Sequence, residues 1–456
     1  MIRVDVSKVL FILVNTILIL GLAFGFGLYS GVKKNVVYQV INKIKATVEG
    51  DLKAVNEEAP ALTRLKPTHH LQKAQHKGTG VTVNETRGGE RDLILLSGFF
   101  MNTNELRLIR RSGEMVARWP VEFSALFPDT SHITKPPATD WNTDTHGALI
   151  LPNGSVVFNF DYHGLVKLDR CGAPVWTLPL MTHHSVERAE GGGFWVPGRY
   201  YVAKESDSSF PPFKTPYNVD TILKVSENGE VLVDLSVPKI LYDNGLEALL
   251  TASGQSIAKN TDTGLEIIHL NKIEELTSDL ANEFPMFETG DLALSLRNRN
   301  LVLVVDPDTQ KVRWWKVGPW LRQHDPEFRP GGKIIVFNNN NYRVAYKDYP
   351  DALPIADSRL SNILEVQLAS NEPRVIYGGT PEQRMFSIIR SKLEPTPAGG
   401  LLITEFQAGR AFEIDEDGRV VWQYINRYSD TEVGELTEAR AYGPDYFEVT
   451  DWSCQT

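Results

Sequence analysis

Cysteine is nearly missing: 456 residues contain two, Cys171 and Cys454, far apart in the chain. That count excludes a disulfide framework. Whether the two pair across a closed ring of repeats is left open by the sequence. A surplus of positive charge is missing too. The formal net charge is −10, which argues against nucleic-acid binding and for a soluble, non-sticky surface. An anionic substrate in a local basic pocket stays compatible with it. No carboxylate-rich calcium site stands out either. What is present is ordinary globular composition, 42% hydrophobic and 23% charged, with enough length for a large core.

Charge is also missing locally. Val9 to Val32 reads VLFILVNTILILGLAFGFGLYSGV without an ionisable Lys, Arg, Asp or Glu. About 20 apolar residues span a bilayer core. The run is longer than a secretory signal and lacks a convincing cleavage site, so residues 1–34 are expected to form an uncleaved transmembrane anchor. Lys33, Lys34, Lys43 and Lys45 follow it, and the positive-inside rule alone would place the bulk of the chain in the cytoplasm. Residues 35–56 carry Val37, Val40, Ile41, Ile44, Val48, Leu52 and Val55 on one stripe, the pattern of an amphipathic helix. Such a stalk either packs on its own domain or self-associates into a homo-oligomer. Residues 57–90 are polar, with Pro and Gly, and are expected to be a linker. His69, His70 and His76 in it are read as solvated, because no carboxylate or Cys frames them in sequence.

From Arg91 to the C-terminus one pattern recurs. Short apolar strands alternate with Gly, Asn-Gly and Pro-Asp turns, and six units begin near Leu93, Ala148, Gly191, Gly290, Gly331 and Gly399. A β-rich unit repeating every 40–50 residues or so is a propeller blade by period. Such blades stack in a ring. The expectation is therefore an all-β, six-bladed β-propeller over residues 91–456. The tail from Glu438 to Trp452, with its strand-like YFEVTDW, is expected to complete a blade and close the ring.

Four of the ten histidines occupy one place in the repeat, the start of the innermost strand: His146, His184, His269 and His324. Propeller geometry brings those starts together at the axis. A single histidine there is most simply a turn or core residue satisfied by a backbone carbonyl. Four at equivalent positions point to a shared site, with His183 beside His184. Arg297, among apolar neighbours Leu294, Leu296 and Val302, reads as a buried arginine with a purpose. Two chemistries suit these residues. Three imidazoles can hold zinc with a position left open. Alternatively, an imidazole attacks a sulfuryl or phosphoryl centre while the arginine balances charge on the transferring oxygens.

The stretch Gly290 to Asn338, with SLRN around Arg297 and QHDPEF around His324, resembles the bacterial arylsulfotransferase (arylsulfate sulfotransferase) family. HHSVE around His184, HLNKIEEL around His269 and LLITEFQAGRAFEIDEDGRVVWQY near the C-terminus are similar to it as well. The resemblance runs from about Trp141 to Tyr428. It implies a six-bladed periplasmic propeller, here held at the inner membrane. The implied reaction passes a sulfuryl group from an aryl sulfate to a phenolic acceptor, without PAPS, through a sulfohistidine and with no metal or cofactor. His324 would be the nucleophile, His269 the acid/base or orienting partner, Arg297 the sulfuryl clamp and His184 a further catalytic imidazole. Asn298, Asn271, His146 and His183 would line the substrate. The periplasmic placement conflicts with the lysine bias after the anchor. The chain also departs from the family in lacking an N-terminal β-sandwich and in carrying Lys272 beside the site. The competing readings are a non-enzymatic propeller scaffold in the cell envelope and, further off, a quinoprotein or metal-dependent enzyme.

Overall fold

The computed structural model describes residues 6–33, 67–85, 89–133, 136–210, 213, 215–251, 266–340 and 360–454. The chain divides into two units, Met1–His69 and His70–Thr456. The first contains a helix over Val6–Lys33 on which Phe11, Ile17, Leu20, Phe24 and Leu28 are exposed. Among the described residues, no helix is long and apolar enough to cross a membrane. The expected anchor thus finds no support in the structure. The expected stalk, 35–56, and the start of the expected linker, 57–66, lie outside the described residues.

The second unit is built from six antiparallel sheets of four or five strands. From the innermost strand outward, the second blade is Thr145–Ile150, Val156–Phe160, Gly164–Leu168 and Pro174–Leu178. The third, fourth and fifth follow the same order, with innermost strands Glu187–Arg188, Leu270–Glu275 and His324–Arg329. The sixth begins at Lys392–Pro395. The first is completed by the end of the chain: Leu436–Tyr442 supplies its innermost strand, pairing with Leu93–Phe100. The closing strand is therefore LTEARAY. The expected YFEVTDW lies beyond it and is not a strand.

The presumed linker is also corrected. Gly80–Asn84 pairs with Val420–Ile425 as a fifth, outermost strand of the sixth blade, and Leu71–Lys73 pairs with Glu432–Gly434. The propeller therefore begins before Arg91. His70 is fully buried, stacked on Phe99 at 4.1 Å between ring centroids. Its Nδ1 lies 3.2 Å from Glu435 and 3.4 Å from Asp144. The sequence hid this because both carboxylates come from remote parts of the chain.

The core sits between blades. Six clusters of buried apolar side chains occupy the six blade interfaces, including the one where the sixth blade meets the first through Leu402, Trp422, Ile94 and Leu436. The ring is thus closed by apolar burial as well as by strand pairing. Middle strands such as VVFNF and LVLVV are buried on both faces and are apolar almost throughout, Asn159 being the polar exception in these two. Outer strands such as Val231–Ser236 keep exposed positions.

After its last strand the chain crosses from the first blade to the second. Tyr446 donates to the Ile150 carbonyl at 2.7 Å, and the Glu448 N–H to Pro152 at 2.9 Å. Arg170 donates to the Asp451 and Ser453 carbonyls. Cys171 and Cys454 form a disulfide there. Closing a 283-residue separation restricts the unfolded chain, and bonds of this type contribute about 2–4 kcal/mol. Cys171→Ser is expected to lower the urea-unfolding free energy of the full-length protein by that amount. Dithiothreitol should have the same effect on the wild type and none on the variant. Identical midpoints for wild type and variant would remove the tail bond from the stability account.

Candidate active site

The geometry of the site comes from a repeated backbone irregularity. At the start of the innermost strand the register slips between His146 and Ala148, Leu270 and Lys272, His324 and Glu327, and Leu436 and Glu438. A bulge of this kind bends the strand and re-aims its side chains. Beside two of these slips a residue takes a left-handed conformation, φ +61° at His269 and +54° at Asp325, and His184, ahead of the third blade's innermost strand, does so at +57°. Non-glycine residues rarely sit there, and such strain collects at functional sites. In the second blade the position is Gly147, φ +67°, where a Cβ would lie 1.8 Å from the His184 carbonyl oxygen. Only glycine fits.

These bulges, and the left-handed turn at His184, bring His146, His183, His184, His269 and His324 to one mouth of the central channel. All are 3% exposed or less, and Arg297 is 7% exposed. His184 packs against His146 at 4.4 Å, His269 at 4.7 Å and His324 at 6.1 Å between ring centroids. Arg297 sits in a short turn after Leu292–Leu296, and its N–H donates to the His269 carbonyl at 3.0 Å. Its guanidinium lies 3.6 Å from Glu266.

Hydrogen bonds assign the tautomers. Asn339 donates its amide hydrogens to the Ser387 and Arg390 carbonyls, which turns its oxygen toward His324. His324 Nδ1–H therefore donates to Asn339 Oδ1 at 2.6 Å, and the Nε2 lone pair accepts from the Arg390 N–H at 3.2 Å. His269 Nδ1–H donates to Glu266 at 2.7 Å. His269 Nε2 then accepts from His184 Nε2–H at 3.1 Å, and His184 Nδ1 accepts from His183 Nδ1–H at 2.9 Å. The string ends at Asp220, whose oxygen stands 3.6 Å from a His183 Nε2 that has no hydrogen-bond partner. Four joints run from Glu266 to Asp220, while three neutral imidazoles carry three protons. The longest joint is the one left without a proton.

Burial first, and then the Arg297 charge, hold His324 well below the ordinary imidazole value and His269 at about 4. Burial and the surrounding imidazoles, His146 first among them, hold His184 well below it. Burial takes His146 to about 4 against the pull of Asp161. All four are thus neutral bases near pH 7. Burial acts to raise Glu266, but His269, Arg199 and Arg297 outweigh it and hold the carboxyl well below its usual range.

Not every expected site residue faces the substrate space. Asn271 spends its amide on the Gln323 carbonyl at 2.9 Å, and Asn298 on the Glu266 carbonyl at 3.0 Å. Both position neighbours of the imidazoles. Lys272 points down the channel, fully buried, to Glu187, Glu274, Asp325 and Glu327. Nor is the mouth purely cationic: Glu266, Asp220 and Asp161 stand among the imidazoles. Sequence reasoning missed these three, along with Asn339, Tyr162, Arg199 and Arg390. Arg199 bridges Asp220 and Glu266 and lies over the Tyr162 ring. Arg390 pairs with Asp144, Asp161 and Glu435. A signal existed for some of them. Asp161, Tyr162, Arg297 and Asn339 all follow the second strand of a blade, a repeat position as close to the axis as the one the histidines hold.

The arylsulfotransferase (ASST) family profile matches residues 147–427, more than half of the chain. The chain belongs to the arylsulfotransferase family. Family membership makes it a sulfotransferase-like enzyme and agrees with the resemblance carried by the His184, His269, Arg297 and His324 segments. No curated protein sequence matches it. Among solved structures it is similar to a Bacteroides caccae protein of unknown function, at 15% identity and TM-score 0.46, covering 77% of this chain and 98% of that one. It is also similar to virginiamycin B lyase from Staphylococcus aureus, at 10% identity and TM-score 0.40, covering 78% and 88%. Hydrazine synthase from Kuenenia stuttgartiensis follows at 11% and 0.39, covering 75% and 80%. Likenesses this distant say nothing about the chemistry of this arylsulfotransferase.

The neutral imidazoles have a cost in acid. Between pH 6.5 and about 4 the unfolded chain binds protons that folded His146 and His269 refuse. Stability therefore falls as pH drops through that window, by on the order of 3 kcal/mol per imidazole. Urea unfolding from pH 7 to 4 is expected to show this slope, and His269→Gln should make it shallower. Equal slopes in the two proteins would overturn the assignment.

Proposed function

We propose that this arylsulfotransferase moves a sulfuryl group from a small aryl sulfate to a phenolic acceptor through a sulfohistidine on His324. The observation that carries this reading is the neutral His324, its Nδ1–H held by Asn339, its ring beside His184 and within the field of Arg297, and its Nε2 lone pair held by the Arg390 backbone N–H, which the sulfuryl group of a substrate would displace. In the first half-reaction Nε2 bonds to sulfur and the sulfur–oxygen bond to the aryl group breaks, the phenolate leaving with the electron pair. Arg297 balances charge on the sulfuryl oxygens. In the second, His269 Nε2, released from its bond with His184, takes the proton of the acceptor phenol, whose oxygen attacks sulfur and releases His324. The vacant joint at Asp220 offers room for that proton, which is finally matched by the departed phenolate.

The uncharged Val9–Val32 run supports holding the enzyme at the inner membrane. The Cys171–Cys454 bond supports a propeller on the oxidising, periplasmic side, against the lysine bias of residues 33–45.

Exposure of the full-length protein to p-nitrophenyl sulfate without acceptor is expected to add about 80 Da, the mass of SO₃, to the peptide containing His324. A phenol should then remove it. His324→Ala should show neither adduct nor p-nitrophenol release. His269→Gln should slow acceptor turnover about 10²–10⁴-fold while the adduct still forms. An adduct on another residue, or none with any aryl sulfate, would overturn the assignment.

A further inference from the structure

The cluster of His184, His269 and His324 has a second use that does not depend on sulfuryl transfer. One nitrogen of each ring lies within 4.8 Å of the others. A tetrahedral zinc ion with Zn–N of about 2.0–2.1 Å needs its ligand atoms about 3.4 Å apart. The His184 and His269 Nε2 atoms are already 3.1 Å apart. Side-chain movements of an ångström or so would seat all three.

The nitrogens facing away are held as metal-bound imidazoles require. His269 Nδ1–H is on Glu266, and His324 Nδ1–H is on Asn339. Partners of this kind fix the tautomer and raise ligand basicity. His184 completes the set through its neighbour. A cation bound at its Nε2 would move its proton to Nδ1, to donate to His183 Nδ1. The His183 proton would move to Nε2, to donate to Asp220. No proton is lost, and the buried His183 Nε2 that now lacks a partner gains one. The string from Glu266 to Asp220 is one proton short at Asp220, and a cation between His184 and His269 would shift a proton into that joint. Arg297 opposes a further cation there, but Glu266 lies 3.6 Å from Arg297 and Asp161 3.6 Å from His184 Nδ1.

We infer that His184, His269 and His324 form a zinc-binding site, with Glu266, Asn339 and the His183–Asp220 pair as its supporting shell. A zinc ion there displaces the Arg390 N–H from His324 Nε2 and occupies the lone pair that His324 would offer to sulfur, so zinc and sulfuryl transfer exclude each other.

The test is calorimetric titration of the full-length protein with ZnCl₂ at pH 7.5, alongside CoCl₂ titration followed by visible absorption. The expected result is one saturable site and an intense tetrahedral cobalt band. Both should disappear in His269→Ala and His324→Ala. Glu266→Gln should weaken zinc about 10–100-fold. His132→Gln, whose ring bonds the His163 carbonyl outside the cluster, should leave binding unchanged. Thermal melts of each variant would show that it is folded. No zinc heat and no cobalt band, or binding that survives His269→Ala, would overturn the site and leave the string a carrier of protons alone. Zinc binding without any aryl-sulfate adduct would instead count against the transfer reaction and leave this site standing.

Discussion

The constraint beneath everything else is the need to neutralise charge along the axis. Lys272, Lys392 and Arg440 are buried there with Glu187, Glu274, Asp325, Glu327, Glu394 and Glu438. Lys272 reaches Glu187 at 2.7 Å and Glu327 at 2.6 Å; Lys392 reaches Asp325 at 3.0 Å; Arg440 reaches Glu187 at 2.8 Å. A buried charge without its partner costs several kcal/mol. Six carboxylates against three cations would leave such an excess. Burial resolves it by raising Glu274 to about 7 and Glu327 and Glu394 well above the usual range. With Glu327 and Glu394 carrying protons and Glu274 sharing one near pH 7, the carboxylate excess over the three cations largely disappears. The contributors come from five blades, so the balance holds only when the ring is assembled in order.

That network also sets the mouth above it. Asp325 follows His324 directly, Lys272 follows His269 by three residues, Glu187 follows His184 by three, and Lys392 follows Arg390 by two. The innermost strands of the fourth and fifth blades thus have one foot in the axial ion network and a bulged, left-handed start at the mouth. The ion pairs hold the strands while the bulges aim the imidazoles. The acids of the mouth hold each imidazole in one tautomer, while burial and nearby positive charge keep the rings neutral against the acids' pull. Neutrality is what both a nucleophile and a metal ligand require.

Much of this was legible in the primary structure. Turn chemistry and period made six blades readable, and shared repeat position made His146, His184, His269 and His324 readable as a group. His70 was not. Its polar, proline-bearing surroundings look like linker, and its partners Asp144 and Glu435 lie far along the chain. Glu266, Asp220 and Asn339 were also missed, because a carboxylate or amide in a strand or loop carries no local mark of the imidazole it will meet. Lys272 was legible as a charge near His269 but not as one aimed the other way, since a register slip of one residue decides which face a strand side chain takes.

By itself the amino-acid order determined the repeat, the apolar middle strands and the chemical kinds of group that would gather at the axis. Those follow from short-range periodicity and from the equivalence of positions between units. Only the closed ring decided which nitrogen of each imidazole is free, which acid holds it, and that the string of three stops one proton short at Asp220. Such facts depend on distances of 3 to 4 Å between residues up to 365 apart, and a linear pattern holds no information about them until the blades are packed.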